Sequence, residues 1–267
     1  MINEQVEPEV KEPRILSYDI ETTPLVSLTW GTYDQNVIRV QEDWHILCFA
    51  YKWLGESETH IVSQRQWKKA YKKDMTDDSK VVGALHKLLS EADISIAHNG
   101  VRFDDKKVNA RFMHHKMEKP QPRFSIDTLQ ILRRHAKLTS NKLNDVCQQF
   151  GIGKKVPHHG IDTWIGCMAG VDAEWDIMEK YNIMDVDLLE QLYIYLLSNG
   201  WIDQHPNMAI ISGHSDSCKA CGAHVTQMQK RGIRRTTAYQ YQQYQCKICK
   251  TYQRGRTAIK GSRALFA

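Results

Sequence analysis

Four carboxylates and one phenol stand where they could do metal chemistry. Asp19 and Glu21 are two residues apart in ILSYDIE, so strand alternation would carry both acids on one face near the strand's end. Asp104 follows the turn-like HNGVRF and would open a helix, where an acid also complements the free N–H groups of the first turn. Asp185 is the least ordinary of the four. It lies in phase with Met178, Tyr181, Leu188, Leu192 and Leu196 of a long helix. A carboxylate on such an inward face must be paired, protonated or bound to a cation. Tyr181 sits one turn earlier on the same face. Each residue alone has a plain structural explanation as a solvated strand end, a dipole partner or a core aromatic. Together they offer the clustered oxygens that hard divalent cations prefer.

A second constellation is built from sulfur. Cys218-Lys-Ala-Cys221 and Cys246-Lys-Ile-Cys249 are two CxxC pairs with 24 residues between them. Paired thiolates from two tight turns complete a tetrahedral Zn²⁺ site, and four protein ligands leave no open position. The zinc is therefore expected to be structural, and so small a module needs its metal to fold. Gly222 follows the first pair but Lys250 follows the second, which predicts a less regular second knuckle. His214 and His224 are spare ligand candidates, while Cys48, Cys147 and Cys167 read as reduced core residues.

These groups need elements to hold them. The pattern predicts strands at 15–21, 46–54 and 58–63, the last two joined through Gly55-Glu56-Ser57 as a hairpin. Residues 64–78 read as a loop or exposed helix. Ser79 is placed to cap a helix with Val81, Val82, Leu85, Leu88 and Leu89 on one face. A strand at 93–97, a helix at 103–115, and helices at 126–137 and 141–150 follow, with Asp127 as a candidate N-cap. Residues 151–170 read as a long loop. Its Lys154, Lys155, His158 and His159 are either solvated or phosphate contacts. The longest helix runs from Asp172 to about Ser198 and ends at Asn199-Gly200. Early strands followed by alternating helices and short strands indicate an α/β fold with a mixed sheet.

At 267 residues the chain exceeds one average domain. Hydrophobic residues at 42% and charged residues at 25% exclude wholesale disorder. A mean hydropathy of −0.52 and the lack of a long apolar run exclude a membrane-spanning helix. The acidic, polar start is no signal peptide, so a cytoplasmic protein is expected. From Gly213 onward eleven Lys and Arg face one acid, Asp216, which leaves 25 basic and 30 acidic residues for positions 1–212. A basic module that seeks a polyanion is thus attached to a slightly acidic body. Residues 1–13 read as a disordered lead-in, 14–200 as the body, 201–212 as a linker, 213–260 as the zinc module and 261–267 as a tail. Within the module Arg234, Arg235 and Tyr241 combine cations for phosphates with an aromatic platform for bases.

The order and wording of three segments resemble a known family. DIETTP at 19–24, HNGVRFD at 98–104 and YNIMD at 181–185 are similar to the three exonuclease motifs of the DEDD superfamily. The Tyr-x-x-x-Asp form is that of the DEDDy branch, which includes the proofreading domains of family-B DNA polymerases and the RNase D group. The resemblance spans about Pro13 to Gly200. It implies an RNase H-like fold, a mixed five-stranded sheet flanked by helices, and two-metal hydrolysis from the 3′ end that releases 5′-mononucleotides. Two Mg²⁺ or Mn²⁺ ions are implied. By motif, Asp19 would bridge both ions, Glu21 and Asp185 would complete the first site, and Asp104 would hold the second. Tyr181 would orient the attacking water and Asn99 would lie near substrate. His98 is expected to be structural. The cysteine segment resembles zinc ribbons of transposase-associated and phage proteins. DNA is expected over RNA because HNGVRFD is closer to the polymerase version. An RNase D-like exoribonuclease and a catalytically inactive nucleic-acid-binding adaptor are the alternatives. A stand-alone nuclease of this kind suits a bacteriophage or a bacterium, and no protein partner is legible.

Overall fold

The computed structural model describes residues 12–261, so most of the expected lead-in and tail lies outside the described residues. The chain divides into two units, Arg14–Gln191 and a second that begins at Leu192. In chain order the first unit holds β1 (Ile15–Thr22), β2 (Val26–Leu28), β3 (Arg39–Glu42), β4 (Ile46–Trp53), β5 (His60–Ser63), α1 (Lys68–Lys73) and α2 (Ser79–Glu91). There follow β6 (Ile94–Ala97), α3 (Asp104–His114), β7 (Phe124–Asp127), α4 (Thr128–His135), α5 (Leu143–Gln149) and α6 (Ile161–Met168). The long α7 (Asp172–Ser198) starts in the first unit and ends in the second.

The main sheet has five strands in the order β5-β4-β1-β6-β7. β4 lies antiparallel to β1 and β5, whereas β1, β6 and β7 run parallel, so the sheet is mixed as expected. β1 is central because alternation gives it a buried face of Leu16, Tyr18 and Ile20, which pack with Val81, Val82, Leu85 and Leu89 of α2 and Val108 and Phe112 of α3. Leu47 and Cys48 of β4 pack with Cys167 of α6 and with Trp175 and Met178 of α7. Asp19 and Glu21 are held half-buried while their neighbours fill the core.

Three local expectations change. The segment read as one helix at 126–137 begins as strand β7, and Asp127 ends that strand by capping α4: its carboxylate accepts from Leu129 N at 3.0 Å and Gln130 N at 3.3 Å. The loop at 151–170 contains α6, and β2 and β3 form a separate two-stranded ribbon. Ser79 starts α2 but does not cap it. The N-cap is Asp78, whose carboxylate is turned inward instead. It accepts from Ile46 N at 2.9 Å, from Arg111 Nε and Nη2 at 2.7 and 2.6 Å, and from His115 Nε2 at 2.6 Å. Burial pushes its pKa up, but the hydrogen bonds from Arg111, Ile46 and His115 outweigh that and hold it below the ordinary carboxylate value.

In the second unit, residues 201–212, read as a linker, are packed. Ile202, His205, Met208 and Ala209 are buried, and α8 (Met208–Ile211) is capped by Asn207. β8 (Met228–Arg235), β9 (Gln240–Cys246) and β10 (Tyr252–Ala258) form a three-stranded antiparallel sheet in the order β10-β9-β8. Its core is Cys218, Ala220, Cys246 and Cys249, packed with Leu197, Ala223 and Met228. Among the described residues no helix is long and apolar enough to cross a membrane.

Candidate active site and zinc centre

Asp19, Glu21 and Asp185 each present a carboxylate oxygen, and these oxygens lie within 4.8 Å of one another. β1 brings the first two, with Ile20 between them, and the inward face of α7 brings the third. Asn182, fully buried one turn before Asp185, ties the elements together: its Nδ2 donates to Asp19 Oδ2 at 2.8 Å. Sequence reasoning passed over Asn182, although its spacing from Asp185 places it on the same face.

Asp104 stands outside that 4.8 Å group but acts on it. After burial, its charge is the largest influence raising the Asp19 pKa, ahead of Glu21 and Asp185. Asp104 is buried and takes a backbone hydrogen bond from Ile20 of β1, while its neighbour Asp105 is occupied by Tyr18 Oη at 2.9 Å and Arg123 Nη2 at 2.6 Å. The turn that delivers Asp104 is tightly specified. Asn99 adopts a left-handed φ of 72°, and its N–H donates to Asp127 Oδ1 at 3.0 Å. A Cβ on Gly100 would come within 2.3 Å of the Ala97 side chain. His98 is structural, as expected: its ring nitrogens meet Thr128 Oγ1 and the Asn141 carbonyl, both at 2.8 Å, and burial lowers its pKa.

The donor set fits divalent cations. Asp104 Oδ1 and Asp185 Oδ1 are buried and, among the described residues, have no hydrogen-bond partner, an arrangement that leaves a carboxylate oxygen free for a metal. Burial, followed by the charge of Asp185, pushes the Glu21 carboxyl up to about 8. Burial likewise pushes Asp104 up to about 7, and it raises Asp185. Acids held this close resist ionising together unless a cation joins them.

Lys155, read in the loop as solvated or as a phosphate contact, instead turns into the site. Its Nζ donates to Tyr181 Oη at 2.9 Å and to Asp185 Oδ2 at 2.5 Å. Burial alone would lower its pKa, but the Asp185 charge and these hydrogen bonds hold it above the ordinary lysine value. Burial and Asp185 in turn push the Tyr181 phenol up to about 12. His158 and Trp164 surround Tyr181 edge-on at 4.8 and 6.1 Å between ring centroids, and Trp164 also hydrogen-bonds Glu21. His159 instead meets Glu174 Oε1 at 3.0 Å. Lys107, also unforeseen, lies beside the end of β1. Its Nζ donates to Thr22 Oγ1 at 3.1 Å and lies 4.1 Å over the Trp44 ring and 5.3 Å over the Phe103 ring.

The raised acids carry a stability prediction. A folded-state pKa above the unfolded value gives stability that is full below the unfolded value and is lost as pH rises through the folded one. The metal-free protein should therefore lose thermal stability as pH rises from about 4 through about 7 for Asp104 and about 8 for Glu21. Mg²⁺ should restore most of that loss near pH 8 and change little near pH 5. Scanning calorimetry with and without Mg²⁺ checks this, and an equal Mg²⁺ effect at both pH values would contradict it.

In the second unit all four cysteine sulfurs lie within 4.8 Å of one another. Cys218 and Cys249 are 3.6 Å apart and Cys221 and Cys246 3.8 Å, far longer than a disulfide. Ligands about 2.3 Å from a tetrahedral Zn²⁺ stand roughly 3.8 Å from each other, so the sulfur cage fits zinc. The expected irregularity of the second knuckle is absent. Lys250 adopts a φ of 59°, like Gly222 at 71°, and their N–H groups donate to Cys246 O and Cys218 O at 3.1 and 3.0 Å. Lysine thus accepts the left-handed position that glycine fills in the first knuckle. His224 caps the 3₁₀ turn at 225–227, and neither it nor His214 joins the sulfur cluster. On the sheet, Arg234 lies opposite Tyr241 and shares its face, with Arg254 stacked 4.1 Å over the Tyr241 ring. Arg235 lies opposite Gln240 and points to the reverse face.

No curated protein matches the chain in sequence. Among solved structures, the family B DNA polymerase from the hyperthermophilic archaeon Pyrobaculum calidifontis is similar, with a TM-score of 0.52 and 14% identity. The likeness covers 85% of this chain and 32% of the polymerase chain, so the present chain spans less than a third of it. A family model of the RNase H superfamily matches residues 16–197, the stretch that contains Asp19, Glu21, Asp104 and Asp185. The chain belongs to the RNase H superfamily.

Proposed function

We propose that the protein is a metal-dependent 3′→5′ exonuclease of the DEDDy type, acting on DNA and releasing 5′-mononucleotides. The observation that carries this reading is the meeting of Asp19, Glu21 and Asp185 at one point, with the Tyr181 phenol beside Asp185. Asp19, Glu21, Asp104 and Asp185 would hold two Mg²⁺ or Mn²⁺ ions. Bound there, the ions would supply an activated water and charge stabilisation for an in-line displacement at phosphorus.

The chain's own groups then have distinct tasks. Tyr181 stays protonated because its pKa is pushed up to about 12, so it can hold the attacking water by hydrogen bonding but is not its base. Lys155 keeps the phenol in place and offsets part of the carboxylate charge. Asn99, at the turn before Asp104, and Lys107, clasped by Trp44 and Phe103, would meet the substrate strand. Division into an exonuclease body at 14–200, a connector at 201–212 and a ribbon at 213–260 assigns backbone capture to the ribbon, through Arg234, Tyr241 and, from the other face, Arg235.

Digestion of 5′-labelled single-stranded DNA and a matched RNA with Mg²⁺ or Mn²⁺ tests the reading. A ladder that shortens from the 3′ end is the expected result, faster on DNA. Faster RNA digestion would move the substrate to RNA, and no cleavage of either strand would leave the adaptor alternative.

A further inference from the structure

The basic ribbon contains one acid, and that acid lines a cavity. A groove of about 480 Å³ in the second unit is walled by Asp216, Lys219, Met228, Tyr244, Gln253 and Arg256 among others. Its volume falls in the ~300–1,000 Å³ range of small-ligand sites. It lies mainly on the reverse of the face that carries Arg234 and Tyr241, and Arg254, stacked on Tyr241, also lines it. Tyr244 lies opposite Lys230 and Gln253 and alternates with Tyr241 along β9, so its ring belongs to the reverse side. Gly255 adds no side chain above that ring: a Cβ there would come 3.5 Å from it.

The polar groups of this groove are incompletely used. Gln253 Oε1 accepts from Lys219 N at 3.0 Å, but among the described residues Gln253 Nε2 reaches only the Met228 thioether at 3.6 Å, a weak acceptor. The Asp216 carboxylate takes the Ser215 hydroxyl at 3.4 Å and, among the described residues, no cation. For backbone capture alone an acid here is a disadvantage, because it repels the phosphates that eleven Lys and Arg attract. A carboxylate is useful where it reads paired donors on a base. Guanine presents N1–H and the N2 amino group side by side on its Watson–Crick edge, which is open in a single strand. Cytosine and adenine offer one amino group each.

We infer that this groove is a base-specific pocket that takes a guanine from single-stranded nucleic acid. Tyr244 stacks under the ring, Asp216 accepts from its Watson–Crick edge, and Lys219 and Arg256 meet the flanking phosphates. The inference rests on the reading of the ribbon as a nucleic-acid-binding module.

Fluorescence anisotropy with the zinc-loaded full chain, without added Mg²⁺ or Mn²⁺, tests it. The probes are labelled twelve-residue oligothymidylate and the same strand with one central guanosine, adenosine or cytidine. The guanosine strand should bind about tenfold more tightly than the others, as expected for a bidentate base contact. Asp216→Asn should erase the preference and leave oligothymidylate binding within about twofold, since among the described residues this exposed carboxylate takes a side-chain hydrogen bond only from Ser215. Equal binding of all four strands would overturn the pocket while the ribbon's role in backbone binding stands. A preference for another base, or a guanine preference that survives Asp216→Asn, would also overturn it. Failure to bind any strand would remove both readings.

Discussion

Asp19→Asn is expected to lower hydrolysis by about 10³-fold or more while raising the melting temperature of the metal-free protein. The two effects have one cause. Asp19 sits in the carboxylate cluster, and burial together with Asp104, Glu21 and Asp185 pushes its pKa well up. An amide removes one of the mutually repelling charges, so the folded state without metal is relieved. Its oxygen can still accept from Asn182 Nδ2, which lies 2.8 Å from Asp19 Oδ2, so the tie between β1 and α7 survives. The same change removes the ligand proposed to serve both ions, so the Mg²⁺-induced rise in melting temperature should shrink along with the activity. Calorimetry and the digestion assay on one preparation measure both signs. A variant that loses activity but melts lower, with or without Mg²⁺, would mark Asp19 as a fold determinant and not as a metal ligand.

The residues that carry this expectation were readable because they obey a period. Asp19 and Glu21 follow the alternation of β1, and Asp185 follows the inward face of α7. Lys155 follows none. It comes from the stretch between α5 and α6, where nothing in Lys154-Lys155 says which ammonium turns inward, and only the fold brings it to Tyr181. β7 escaped notice for a related reason. Four residues are too few for a strand pattern, and Ile126 also suits the apolar face of the helix that follows. Asp78 shows a local signal overruled by a distant one: as N-cap of α2 it could have bonded that helix, but Arg111 and His115, more than thirty residues away, take the carboxylate. Lys250 can take the second knuckle's left-handed position because the preference for glycine there is a tendency worth about a kilocalorie per mole, which its N–H bond to Cys246 O helps to offset.

With Zn²⁺ proposed as the ion of the four-sulfur cage, its removal should unfold the ribbon. Its buried core is Cys218, Ala220, Cys246 and Cys249, with few apolar side chains around them, and that is too small to offset the ordering of some fifty residues. Structural zinc in comparable peptides supplies apparent binding free energies of about 10–16 kcal/mol near neutral pH, more than most domains have in total. Cys218→Ser should act in the same direction, because it takes a ligand from a cage whose sulfurs lie 3.6 and 3.8 Å apart in pairs. The eleven Lys and Arg from Gly213 onward make trypsin a direct probe. With zinc bound, β8 to β10 should resist cleavage. After chelation, or in Cys218→Ser, cleavage should run through 219–260 while the Mg²⁺-responsive melting of residues 14–191 persists. Thiol titration in denaturant should release one zinc per chain. A ribbon that stays resistant after its zinc has been removed would mean that the sheet, with its Tyr and Gln side chains, holds itself together and that the four sulfurs have another use.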